Sequence, residues 1–219
     1  MQERSGRTRR RLLEAAAEQI DARGYADAKL SDISRCAEVT TGALYFHFSS
    51  KTDLAEAVQR AGCAMLEETV DHLLTHCSPM QALIDVTHIL ARWICEEPIV
   101  RASLRIGRER GRDGSAIVDF HAVCVRTGLR LLRDARAGQR VIRADVSADS
   151  AEGLVTAVLS GAEADACRGM DPERLTARLT GMWDLLLDAL VVRDLRAGLR
   201  TGPPHTPLPD GRAHEAVTA

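Results

Sequence analysis

Three groups of side chains have types and spacings suited to chemistry. The densest lies in residues 39–54, VTTGALYFHFSSKTDL, where three of the chain's seven Phe, Tyr and Trp residues fall within four positions. Around them stand the hydroxyls of Thr40 and Thr41, the bare backbone of Gly42, the methyl of Ala43, the phenol of Tyr45, the imidazole of His47 and the ammonium of Lys51. These types suit a polyanionic duplex: hydroxyls donate to phosphates, glycine admits close backbone approach, and a methyl can touch a thymine methyl. The same aromatics could instead be the small core of a three-helix domain, and composition alone leaves both readings open. A second group, Asp71, His72 and His76, sets two imidazoles at i,i+4 spacing, which could hold a metal. No third ligand pattern, HExxH, nucleophile elbow or phosphate loop accompanies it, so neither catalysis nor a cofactor is expected. The third group is six cysteines, Cys36, Cys63, Cys77, Cys95, Cys124 and Cys167, widely spaced and without a CxxC. They are expected to be free, buried thiols. Only Cys36, after Arg35, has the basic neighbour that a thiol-based redox sensor would need.

The elements that must position these groups read as helices throughout, and the fold class is all-α. The spacing predicts a first helix over 6–23 with Leu12, Leu13, Ala16 and Ile20 on one face, a second over 31–37 and a third over 41–48. The turn EVT between the last two makes a helix-turn-helix, with a threonine N-cap and Val39 plugging the core. On the third helix Leu44 and Phe48 point inward, leaving Thr40, Thr41, Gly42, Ala43, Tyr45 and His47 outside. Ser50 is a good N-cap for a long helix running to His76, and its amide end with Lys51 offers a further phosphate seat. Further helices are predicted at 79–95, 98–107, 116–137, 148–167 and 172–196, with a loop over 107–115. From Thr201 four prolines and little apolar content suggest a disordered tail.

Bulk properties agree with a soluble chain: 45% hydrophobic and 27% charged residues in 219 positions suffice for a sizeable core. The N-terminal apolar run is broken by Glu14 and Glu18, so it is no secretory segment, and no window approaches a membrane span. A cytoplasmic location is therefore expected. The formal net charge is −2, but the first 51 residues carry +2. Arg7, Arg9, Arg10 and Arg11 lie within five positions, either as a flexible basic arm for a phosphate or minor groove or as a solvated tail.

The segment RTRRRLLEAAAEQIDARGYADAKLSDISRCAEVTTGALYFHFSSKTDLAEAV resembles the DNA-binding domain of TetR-type repressors over residues 7–58. Its RGY, LSDIS and GALYFHFSSKTDL carry the likeness. GALYFHF, the EEPIVRASLR at 96–105 and the overall length are most similar to the γ-butyrolactone receptor or pseudo-receptor branch of actinobacteria. The resemblance implies an operator-binding homodimer without enzymatic activity. It gives DNA-contact positions to Thr41, Gly42, Ala43, Tyr45, His47 and Lys51, beside Thr40, Arg7 and Arg9 from the residue reading. Relatives usually carry Lys where Thr41 stands, which implies one phosphate contact fewer or a different operator.

The resemblance also implies a helical-ligand-binding and dimerisation domain over 51–200, after a reading head at 1–50 and before the tail at 201–219. The helices at 148–167 and 172–196 carry apolar stripes, Leu154, Val155, Val158, Leu159 and Ala162 on one and Leu179, Met182, Leu186 and Leu190 on the other. Paired across a two-fold axis they would form a four-helix interface; alternatively they are ordinary core. Trp93 and Trp183 could wall a pocket for a small hydrophobic inducer or be plain core. By resemblance Ser160 could bind a ligand carbonyl. Receptors of this branch commonly place a tryptophan near position 121, where this chain has Phe120 and His121, which opens an antibiotic-type or other signal beside a butanolide.

Overall fold

Caps and apolar spacing account for most helix boundaries in the computed structural model, which describes residues 2–110, 118–139 and 141–204. Ten helices follow one another among the described residues: α1 (Gln2–Arg23), α2 (Leu30–Cys36), α3 (Thr41–His47), α4 (Lys51–His76), α5 (Pro79–Glu96), α6 (Pro98–Arg110), α7 (Phe120–Gln139), α8 (Ala148–Cys167), α9 (Pro172–Leu190) and α10 (Arg193–Arg196). The fold is all-α, as the periodicity predicts. Ser50 Oγ accepts the Asp53 amide at 3.0 Å, and the Asp53 carboxylate accepts the Ser49 amide at 2.9 Å, a reciprocal cap for α4. Ser147 and Asp171 are the N-caps of α8 and α9, their side-chain oxygens accepting the Ser150 and Arg174 amides. Pro79, Pro98 and Pro172 each open a helix where a missing N–H costs nothing.

Four boundaries differ from the sequence reading. The N-terminal arginines are not a flexible arm, because α1 begins at Gln2 and includes Arg7 to Arg11. The expected loop at 107–115 is helical through Arg110, where Arg105 bridges to Glu109 at 2.8 Å across one turn; residues 111–117 lie outside the described residues. α7 starts at Phe120, not 116, and the Asp119 carboxylate accepts the Ala122 amide at 3.3 Å as its cap. α9 stops at Leu190, not 196. There β-branched Val191 turns extended and pairs with Ile142 in an isolated antiparallel bridge, and the Val192 amide donates to Val141 O at 2.9 Å.

The chain divides into two compact units. Among the described residues the first comprises those within 2–65 and 97–123, the second those within 66–96 and 124–204, so that α4 and α7 each begin in one and end in the other. In the first unit Leu12, Ala16 and Ile20 of α1 form a core with Ile33, Leu44, Phe48, Leu54, Val58 and Ile106. The reading head is thus completed by the start of α4 and by α6, beyond the three helices that the sequence suggests. A polar seam ties α6 to the end of α1: Arg101 pairs with Asp21 at 2.6 Å, and Glu109 accepts the Ala26 amide at 3.3 Å. Gly24 lies beneath this seam with φ +91°, and a Cβ there would sit 2.8 Å from both Arg105 Nη2 and Glu109 Oε1. In the second unit α5 is buried along most of its length and packs on α8 and α9.

A Gly24→Ala substitution is expected to destabilise the first unit by about 2 kcal/mol, combining left-handed backbone strain with displacement of the Arg105–Glu109 pair. Urea unfolding monitored by circular dichroism measures it.

Candidate nucleic-acid interface

The rotation of α3 about its axis is set by two side chains. Leu44 and Phe48, one turn apart, are 0% and 2% exposed in the core of the first unit. Everything a helix that short can offer on its other side therefore faces out: Thr41, Gly42 and Tyr45 are exposed, and Ala43 and His47 are half-buried. Thr40 is the N-cap, with its Oγ1 accepting the Ala43 amide at 3.1 Å; its hydroxyl proton stays available as a donor. Phe46 is 80% exposed, the most exposed large apolar side chain of the described residues. The sequence reading left it out of the contact set. Its position two residues from both Leu44 and Phe48, about 200° around the helix from each, was the available signal.

The turn before α3 is held tightly. Glu38 takes φ 51°, a left-handed conformation uncommon outside glycine, and its carboxylate receives Arg11 of α1 at 2.6 Å. Arg9, two residues earlier, stacks its guanidinium 5.4 Å above the Phe48 ring. Arg7 is exposed on the preceding turn. Burial, and then the Arg9 charge, hold His47 below its ordinary 6.5, so the imidazole is neutral at pH 7. Lys51 is placed differently from the free phosphate seat that the sequence suggests. Its Nζ donates to Ala26 O at 2.8 Å and lies 4.8 Å over the Tyr25 ring.

The five residues proposed for a ligand fall in different units. Phe120 is 1% exposed in the first unit, close over Gly62, where a Cβ would meet its ring at 3.4 Å; half-buried His121 follows it there. Trp93, Ser160 and Trp183 belong to the second unit. Trp183 is fully buried and donates its indole N–H to Thr87 Oγ1 at 2.8 Å, and Trp93 is 7% exposed. An open groove of about 730 Å³ on the second unit, lined by Arg143, Leu187, Val191 and Arg193 among others, includes none of the five.

The other two chemical groups are also located. His72 and His76 lie with ring centroids 4.6 Å apart, and no group of three or more His, Cys, Asp and Glu that could hold a metal occurs among the described residues. None of the six cysteines forms a disulfide, but only Cys124 is buried; Cys36 and Cys167 are exposed, against the expectation of buried thiols, because each lies in the last turn of a helix that ends at the surface. Cys36 accepts a hydrogen bond from Gln19 Nε2 at 3.3 Å. Cys77 is pushed up to about 11 by burial and then by the Asp85 carboxylate, far from thiolate chemistry. No helix of the described residues is long and apolar enough to cross a membrane.

Comparison with known proteins places this geometry. Residues 12–58 match the model of bacterial regulatory proteins of the tetR family. The A-factor receptor protein of Streptomyces griseus is 36% identical over 108 residues, a stretch that covers 49% of this chain and only 37% of that protein. The structure of CprB from Streptomyces coelicolor in complex with its biological operator sequence is 30% identical, covers 89% of this chain and 94% of that one, and superposes with a TM-score of 0.69. A structure concerned with the control of antibiotic production by bacterial hormones is 26% identical over 84% of this chain and 98% of its own, with a TM-score of 0.73.

Leu44→Ala is expected to cost about 3 kcal/mol of stability, whereas Phe46→Ala should change it by less than about 0.5 kcal/mol. Paired urea titrations distinguish a buried anchor from an exposed contact.

Proposed function

Because the chain belongs to the TetR family of bacterial regulatory proteins, we propose that it is a transcriptional repressor that binds a palindromic operator as a homodimer. A small hydrophobic signal, γ-butyrolactone-like, butenolide or antibiotic, releases it, and the regulated genes serve secondary metabolism. The reading rests on α3: two buried anchors leave Thr40, Thr41, Gly42, Tyr45 and Phe46 together on an outward face, inside the segment that matches the family model. α3 enters the major groove, with Thr40 and Tyr45 donating to phosphates, Gly42 admitting the backbone and Ala43 touching a thymine methyl. His47 adds an imidazole at the end of the same face. Arg7 and Arg9 contribute as part of a rigid helix, a fixed positive patch near the groove. Lys51 acts first by holding the Ala26 turn, and any phosphate it meets shares an ammonium already engaged.

Dimerisation is assigned to α8 and α9. Their inward faces fill the second unit with Val155, Val158, Leu159, Leu179, Trp183 and Leu187, yet Leu154 remains 40% and Leu185 76% exposed. Exposed leucines on adjacent helices are the expected mark of a surface that a second copy covers. Two reading heads would then address half-sites about 34 Å apart or somewhat more. The inducer binds in the second unit with Trp93, Trp183 and Ser160 as its walls and favours a conformation that spoils that spacing. α4 runs through both units and is the lever. The regulator works in the cytoplasm, where its operator is, and no catalytic step is assigned to it.

Gel-shift binding to the DNA upstream of its own coding sequence, with and without an organic extract of the producing culture, tests the reading. Salt-sensitive binding abolished by the extract is the expected result, and absence of sequence-specific binding to any genomic fragment would overturn it. Tyr45→Ala should weaken operator binding at least about tenfold while sedimentation still reports a dimer. Operator affinity should rise as pH falls below 6.5, because phosphate favours the imidazolium that burial and Arg9 disfavour in the free protein. A His47→Gln variant should lose that part of the pH dependence.

A further inference from the structure

α5 is apolar on nearly every side except along one stripe. Gln81, Asp85 and His88 follow one another at helical spacing on a single face, and Asp85 and His88 are 3% and 5% exposed. Polar groups buried in this way need partners; Gln81 Nε2 donates to Asp85 Oδ1 at 2.8 Å within the stripe, and the other partners come from the segment that follows α10. Arg200 Nη2 donates to both Asp85 oxygens at 2.9 and 3.0 Å. The Gln81 side chain pairs with the Arg200 peptide as a neighbouring strand would, its Nε2 donating to Arg200 O at 3.1 Å and its Oε1 accepting the Arg200 amide at 2.9 Å. His88 Nε2 bonds Thr201 O at 2.8 Å, and Arg200 Nη1 bonds Gly202 O. The expected tail therefore does not begin at Thr201. Residues 201–204 are described, and the first two of them are held by polar bonds.

Three features make this attachment reversible. Its bonds are hydrogen bonds and one ion pair, which water can replace, with no large apolar side chain of residues 200–204 to be exposed on release. The closed state also carries costs: burial pushes the Asp85 carboxyl above its ordinary 3.8 against the pull of Gln81 and Arg200, and the buried His88 Nδ1 has no partner. Finally, the segment has a pivot. Arg196 fastens α10 to α9 through Asp184 at 3.0 Å and Asp188 at 3.1 Å, and its Nη1 donates to Leu199 O at 3.3 Å, so the chain is held through Leu199 and turns beyond it.

We propose that residues 200–204 are a releasable strap, closed over the polar stripe of α5 and replaced there by water when open, giving the second unit a local opening step separate from its unfolding. Opening bares the face of a helix that packs on both α8 and α9. The strap is thus a conformational device within the unit and does not depend on the identity of any ligand.

Hydrogen–deuterium exchange on the full-length chain tests it. In the wild-type protein the Arg200 amide, which donates to Gln81 Oε1, should be protected yet exchange faster than the amides of 84–90 in α5. Gln81→Met and, separately, Arg200→Met should each speed exchange of the strap about tenfold while peptides from α1 and α9 hold their rates and the circular dichroism is unchanged. Strap amides that exchange only as fast as α5 would show that release requires unfolding and would overturn the proposal. So would an unprotected wild-type strap, or one indifferent to both substitutions.

Discussion

The burial of Leu44 and Phe48 fixes how α3 is turned, and the outward face follows from that rotation. A helix of seven residues cannot stand alone in water, so α3 exists because these two side chains fill a core built by α1, α2 and the start of α4. The same two anchors decide that Thr41, Tyr45 and Phe46 meet whatever lies outside. The aromatic cluster is therefore neither all core nor all contact surface. Phe48 belongs to the core, Tyr45 and Phe46 to the exposed face, and Arg9 stacked on Phe48 joins the basic first helix to that core.

In the second unit a few specific polar pairs do the corresponding work. Trp183 is fully buried on α9 with its indole N–H satisfied by Thr87 of α5. That bond is a directional link between α5 and α9 and favours a single register of the two helices. The Asp85–Arg200 pair does the same for the chain's last described segment, at a desolvation cost that makes its contribution to stability small and its contribution to specificity larger.

Helix existence was legible wherever a cap or a proline marked the start: Ser50, Ser147, Asp171 and Pro98 all act as their types suggest. Ends were harder because they depend on distant partners. Nothing local in the run from Pro172 announces that Val191 will leave the helix to pair with Ile142, and Gly107 does not stop α6 because Arg105 and Glu109 bridge past it. The outward face of α3 followed from periodicity, except for Phe46, whose hydrophobic type argued against its own position on the wheel. The partners of Lys51 were not legible either: a lysine at a helix start is an obvious anion seat, but only the fold brings the Ala26 carbonyl and the Tyr25 ring within its reach. The strap could not be read at all, since Gln81 and Arg200 are 119 positions apart.

The distribution of aromatic types has one further use. Both tyrosines, Tyr25 and Tyr45, and all three phenylalanines belong to the first unit, while both tryptophans, Trp93 and Trp183, belong to the second. Emission excited at long ultraviolet wavelength, where only indole absorbs, thus comes from the second unit alone. The chain carries its own pair of optical labels, one colour to each half. Whether the halves melt together or in turn is written in the order in which those two signals change.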